Sequence, residues 1–455
     1  MRIPPAPPDR SAPVNHPAPT GRTPLHPDLA RARWLLMGLF ALTGITFSSW
    51  LARIPTVRDA LGLSTAELGG ILLIGSVGAL LTVTASGIVV QRFGSRRAIL
   101  ASTVVLAVGY VLMGIGPTTG SVALLAVGIF LNGVAVALGN VPINVESGRI
   151  ERAMGRTVIP QFHAAFSIGA VTGSAIGAAA SHLDVPVAAQ FTVIAAVAVV
   201  WRLASLRGVV LPYAPDEMPR ARIAPAAPGA PKGGRRIASA LDSWREPRTL
   251  LIGVVVMAAA LSEGSANDWL SLAVVDGFDR TEAVGGIVLG LFVASMTVVR
   301  LLGTRLLDRL GRVVVLRASG VVSIVGLLLF GLAPSFELAG IGVALWGFGA
   351  ALAVPVGIAA ASDDPLRAAG RVAVVSSFAS VASIAAPPLL GIAAESIGAR
   401  HALSLIAVAM VVSVLLAKQV APQRTTVVPP PATGELDDEL AALVATTPRA
   451  VPTPS

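Results

Sequence analysis

The chain has 455 residues, of which 54% are hydrophobic and 13% charged, with a mean hydropathy of +0.77 and a formal net charge of +9. A soluble globule carries about a quarter charged residues and a smaller apolar share, so this composition excludes that class and indicates a bilayer. There is no cysteine, which excludes disulfides, thiolate metal sites and cysteine nucleophiles.

Residues 1–33 are rich in Pro, Ala and Arg, cannot build a core, and read as a disordered cytoplasmic tail. Apolar runs of about 18 to 25 residues then follow, the length at which a helix spans the hydrocarbon layer. Twelve are expected, near 34–52, 68–91, 98–116, 121–145, 161–181, 187–207, 249–271, 284–307, 313–333, 337–361, 371–394 and 400–417. They are called helices 1 to 12. Helices 1–6 (34–207) and 7–12 (249–417) form two six-helix bundles, joined by a linker at 208–248 and followed by a tail at 418–455. The tail holds an acidic stretch, "ELDDELAALV", read as disordered rather than as an amphipathic helix for a partner.

With the N-terminus inside, the far-side breaks hold only Arg53, Arg58, Arg280 and Arg400 of the 34 basic residues, which puts both termini in the cytoplasm. That asymmetry accounts for the pI of 11.2 without nucleic acid, since the basic face meets the anionic leaflet of the bilayer. The first apolar run is too long for a cleaved signal peptide. No zinc-type spacing and no phosphate-binding GxxxxGK[ST] loop occur, so no metal or cofactor and no direct use of ATP is expected. Nor does any spacing suggest a nucleophile and base, and the chain is not read as an enzyme. No protein partner is predicted.

The two halves repeat. "LGGILLIGSVGALLTVTASG" from Leu68 matches "VGGIVLGLFVASMTVVRLLG" from Val284 at an offset of 216, pairing Gly69, Gly70 and Gly87 with Gly285, Gly286 and Gly303. Trp50-Leu51 against Trp269-Leu270, Gly94 against Gly311, Val141-Pro142 against Val354-Pro355 and Gly155-Arg156 against Gly370-Arg371 keep nearly that offset. Parallel six-helix repeats are the signature of one class of secondary transporter.

The "GIVVQRFGSRR" loop after helix 2 and its copy "GTRLLDRLGRVV" resemble the loop motif of the major facilitator superfamily, with Gln91 where that family usually has Asp. The resemblance covers residues 34–417. "SSWLARIPTVRDALGLSTAELGG", "NVPINVESGRIERAMGRTVIPQFHAAFSIGA" and "SEGSANDW" are similar to a bacterial inner-membrane branch related to fucose permease, which often has Asp where Asn140 stands here. It implies an all-α membrane fold of two pseudo-symmetric six-helix bundles in the bacterial cytoplasmic membrane. The activity implied is alternating access for a small solute.

Candidate residues follow from the cost of polarity in lipid. Glu263 in helix 7 lies about 21 Å from that helix's start at about 1.5 Å per residue, past the midplane. A carboxylate there needs a polar cavity or a cation, which makes it the candidate for proton coupling or substrate binding. Asn267 shares its face, and Asp268 is either a further pathway group or a solvated helix-end carboxylate. Trp50 and Trp269, paired by the repeat, either cap the cavity or belong to the interfacial aromatic belt. Asn140 and Asn144 offer amides to a polar solute or bond neighbouring helices, and His163 can titrate near neutrality or be structural. For gating, Gly87 permits close helix approach, while Arg92, Asp308 and Arg309 occupy matching corners of the two halves. Arg300 either pairs within the cavity or snorkels to the surface, with snorkelling expected.

Gly169, Gly173 and Gly177 give helix 5 a flat packing face. Helix 5 lacks the Gly-Pro pair common in drug antiporters of the superfamily, which favours a sugar or metabolite carrier over export of a hydrophobic compound. A transporter-like sensor that binds without flux is the reading from another class.

Overall fold

The computed structural model describes residues 27–155, 158–210, 243–363 and 367–422. The N-terminal tail up to residue 26, residues 211–242 of the linker and the tail from 423, with its acidic stretch, lie outside the described residues. Twelve helices among the described residues are long and apolar enough to cross a membrane, and none of those residues forms a strand. In chain order they are Pro27–Leu51, Thr65–Val83, Arg92–Thr119, Val122–Met154, Gln161–His182, Val187–Val209, Pro247–Phe278, Glu282–Gly303, Arg305–Leu332, Phe336–Ala361, Gly370–Ile397 and Ala399–Val420. They are the twelve expected helices and keep those numbers.

Several helices outrun their apolar cores. Helix 1 begins at Pro27, where a residue without an N–H costs no intrahelical bond and Asp28 faces the positive helix end. Helix 4 continues to Met154 and helix 7 to Phe278, because polar residues extend a helix freely once it leaves the hydrocarbon. Between helices 1 and 2 lies a short helix, Ile54–Leu61. Ser64 then opens helix 2 through a reciprocal cap, accepting from the Glu67 N–H at 3.2 Å while Glu67 accepts from the Ser64 N–H at 2.9 Å.

The repeat is visible in the backbone. Helices 2 and 3 turn at Gly94 (φ 83°, ψ 160°) and helices 8 and 9 at Gly311 (φ 75°, ψ 160°). Only glycine adopts that region without strain. Prolines at the matched positions of helices 4 and 10 act alike. Pro142 leaves the Leu138 carbonyl without its helical donor, and Ser86 Oγ, just past the end of helix 2, donates to it at 3.3 Å. Pro355 strips the Ala351 carbonyl in the same way, and there helix 10 breaks, at Ala351 and Leu352 between Phe336–Ala350 and Ala353–Ala361.

By compactness the chain divides into two units. One holds the described residues up to 210 with Ser265–Thr297 and Pro387–Ala402; the other holds 243–264, Val298–Ala386 and the described residues from Leu403 onward. In the first unit helix 5 lies on helix 1 along its glycines. A Cβ at Gly169 would collide with the Ala41 carbonyl and one at Gly173 with that of Ile45. Gly173→Leu therefore lowers stability by about 1–3 kcal/mol, read as an earlier melting transition in detergent.

Candidate translocation site

In the second unit, Glu263 of helix 7 is paired with Arg300 of helix 8. Arg300 Nη2 lies 2.9 Å from Glu263 Oε2, and the Arg300 and Glu263 side chains are 32% and 25% exposed, so the pair is neither sealed nor fully wet. Arg300 Nε also donates to the Ala351 carbonyl at 3.2 Å, the group that Pro355 has deprived of its donor. The guanidinium thus joins a carboxylate to the break in helix 10. This corrects the expectation that Arg300 snorkels to the surface: a carboxylate and a freed carbonyl give it better partners inside the bundle. Next to Glu263, Ser262 is fully buried and its Oγ accepts the Trp346 indole N–H at 2.8 Å, which fixes the rotation of helix 7.

The rest of helix 7 belongs to the first unit. Asn267 and Asp268 are half-buried and make no hydrogen bond or ion pair among the described residues. Asp268 is not a helix-end carboxylate, since the helix runs ten residues beyond it to Phe278. Trp50 and Trp269 are 5% and 1% exposed, which places neither in an interfacial belt. Trp50 meets Phe191 edge-on at 6.0 Å, and the Trp269 indole N–H is buried without a hydrogen-bond partner among the described residues. Asn140 and Asn144 are exposed on helix 4, and Asn144 Nδ2 donates to the Asn140 carbonyl at 2.8 Å. The exposed His163 ring stands edge-on to Phe40 at 5.5 Å.

The first unit also joins the two sequence halves, at the helix ends opposite the chain termini. Arg53 Nε lies 3.2 Å from Glu282 Oε2, and Arg53 Nη2 donates to the Val185 carbonyl at 3.1 Å. Thr56 donates to Glu282 through its N–H at 2.8 Å and through its hydroxyl. Arg58 forms a fork on Asp276, with Nη2 donating to Oδ1 at 3.0 Å and Nη1 to Oδ2. Burial draws the Arg53 guanidinium below its ordinary value, against the opposing pull of Glu282 and Asp184. Backbones close the same end: a Cβ at Gly69 of helix 2 would strike the Pro387 carbonyl of helix 11, and one at Gly286 of helix 8 would press on Ala178 of helix 5.

The expected gate residues at the terminus-side corners are not engaged. Arg92, Asp308 and Arg309 are exposed and form no ion pair among the described residues; Arg92 lies only over the neighbouring Phe93 ring, at 5.6 Å. Gly87 meets nothing within 4 Å of an added Cβ, so the close approach expected there is absent, whereas its repeat partner Gly303 is covered by Leu352. The second unit instead staples its terminus-side edge with two carboxylates. Asp363 takes Arg248 at 3.2 Å and Arg312 at 2.6 Å, and Glu246 takes Arg371 at 2.6 Å and Arg367 at 3.0 Å. Burial pushes the Glu246 carboxyl up, but hydrogen bonds from Arg371, Thr249 and Arg367 and the Arg371 charge outweigh it, leaving a net value below the usual range. A carboxylate lowered on folding contributes stability above its unfolded value and loses it as pH falls through the folded one. Glu246→Gln should therefore narrow the gap in melting temperature between neutral pH and pH 4, which a pH series of melts reads.

Twelve spans in two repeated halves, with charges paired inside the spans and across the halves, define a multi-pass membrane carrier. The sequence pattern of the Major Facilitator Superfamily matches residues 2–158, 35–372 and 252–450. The chain belongs to that superfamily and is a transporter rather than an enzyme. It is 29% identical over 365 residues to the uncharacterized transporter y4wD of Sinorhizobium fredii, covering 78% of this chain and 89% of that one. Among solved structures it is similar to the nucleoside transporter NupG (TM-score 0.68, 16% identity, 86% of this chain and 98% of that one). It is also similar to the E. coli fucose:proton symporter FucP (TM-score 0.59, 15% identity, 87% and 100%). At such identities the two structures speak for the fold alone.

Proposed function

We propose that the protein moves a small polar solute, a sugar or related metabolite, by proton-coupled alternating access across the bacterial cytoplasmic membrane, with both termini inside. The observation that carries this reading is the partly exposed Glu263–Arg300 pair within the spans. A proton on Glu263 removes one charge of the pair and weakens its hold on Arg300, so proton binding alters what the Ala351 carbonyl and a solute each receive from the guanidinium. Asn267 and Asp268, without partners among the described residues, and Asn140 and Asn144 offer further polar groups to a solute. His163 is the other titratable candidate on the pathway, and the buried Trp50 and Trp269 would close it toward the far side.

Arg53, Thr56 and Arg58 form the far-side gate, closing on Glu282 and Asp276, and Arg92, Asp308 and Arg309, which make no ion pair among the described residues, form the terminus-side gate. The polar-solute reading also draws support from the nucleoside and fucose carriers that share the fold. The test is external pH recorded in proteoliposomes as sugars, nucleosides and small metabolites are added. A solute that enters with protons supports the proposal. Solute binding without flux for every compound tried would replace it with the sensor reading, and flux confined to hydrophobic compounds with the exporter reading.

A further inference from the structure

The first unit carries a groove on its terminus-side edge, lined by none of the candidate pathway residues. It has a volume of about 1180 Å³ and lies between the corner after helix 2 and the last turns of helix 6. Its apolar wall includes Leu100, Leu203 and Leu206, and three arginines, Arg96, Arg97 and Arg207, stand among them. All three arginines are exposed, and none has a hydrogen bond or ion pair among the described residues. No acidic residue lines the groove among the described residues.

The arginine pair is not a shared property of the repeated corner. With Gly94 matched to Gly311, the second half has Val313 and Val314 where Arg96 and Arg97 stand. General anchoring of a basic face does not require three cations to converge on one apolar groove in one half only.

We propose that this groove binds an anionic phospholipid of the leaflet on the side of the chain termini. The phosphate sits among Arg96, Arg97 and Arg207, and an acyl chain lies along Leu100, Leu203 and Leu206. Guanidinium forks match phosphate oxygens, and basic pockets between spans take anionic headgroups. Among the described residues the groove offers three guanidinium groups and no carboxylate, a charge balance that favours a headgroup of net negative charge. A lipid held there ties the Gly94 corner to the end of helix 6.

The test is native mass spectrometry of the full chain in detergent, titrated with dioleoylphosphatidylglycerol or dioleoylphosphatidylcholine. Wild type should retain the anionic lipid preferentially. Arg96→Gln/Arg97→Gln/Arg207→Gln should weaken that retention roughly tenfold or more, since each basic residue near an anionic surface contributes severalfold. Arg305→Gln/Arg309→Gln/Arg317→Gln, which removes three exposed arginines from the second half, should not. Equal retention of the two lipids, an equal loss in both triple variants, or displacement of the lipid by millimolar inorganic phosphate would overturn the proposal. A melting curve in detergent checks folding, and if the groove triple melts early the three single variants carry the same comparison.

Discussion

Glu263→Gln should abolish proton-linked uptake while leaving solute binding measurable. The substitution keeps the shape of the side chain and a hydrogen-bonding oxygen for Arg300, but removes the group that can exchange a proton. Arg300→Gln has a different signature. It takes the cation from Glu263 and the donor from the Ala351 carbonyl together, so it should cost about 1–3 kcal/mol of stability as well as transport. The pair is a quarter to a third exposed, so its coupling should lie below the roughly 3–5 kcal/mol lost on breaking a sealed pair. A double-mutant cycle on melting should return about 1–2 kcal/mol. Pro355→Ala probes the same knot from the other side, because it restores an N–H to the Ala351 carbonyl and makes the Arg300 bond there redundant. Unchanged proton-linked uptake in Glu263→Gln would remove Glu263 from the pathway and pass the coupling role to His163.

The second large effect is expected at the far-side ends. Glu282→Ala leaves Arg53 buried with the Val185 carbonyl and the weaker pull of Asp184, in a place where burial already opposes its charge. Removing one partner of a buried pair costs about 3–5 kcal/mol. Here that cost falls on the closed arrangement, so the open one should gain roughly two to four orders of magnitude in relative population. The chain has no cysteine, so a reporter can be introduced without clearing a background. Ala178→Cys, which faces Gly286 in the closed contact, should react with a far-side thiol reagent much faster in the Glu282→Ala protein. Equal labelling rates would mean that the ion pair does not hold this end shut.

The number of spans, the halves and the helix 5 face were legible because each is written in long patterns: apolar run length, glycine spacing and repeated dipeptides. What escaped was written in single contacts. Val354-Pro355 stands out as a repeat anchor, but its effect on the Ala351 carbonyl appears only when that carbonyl is followed to Arg300. Asp268 reads as a helix end if the helix stops with its apolar run, whereas the helix continues to Phe278. The far-side contacts left one usable trace. Arg53 and Arg58 are rare basic residues on that side, and the Trp50–Trp269 offset carries the neighbourhood of Arg58 onto Asp276. Glu246 and Asp363 left none, because a carboxylate beside basic loops looks like any solvated charge until its arginines are placed.

The most direct test of alternating access is to lock the far side and ask whether solute still crosses. Thr56→Cys/Glu282→Cys, bridged by a short bifunctional thiol reagent with a reducible link, holds together two positions that touch in this structure. The account predicts that uptake in proteoliposomes stops on crosslinking and returns on reduction. Uptake that continues at the uncrosslinked rate in fully bridged protein would contradict it.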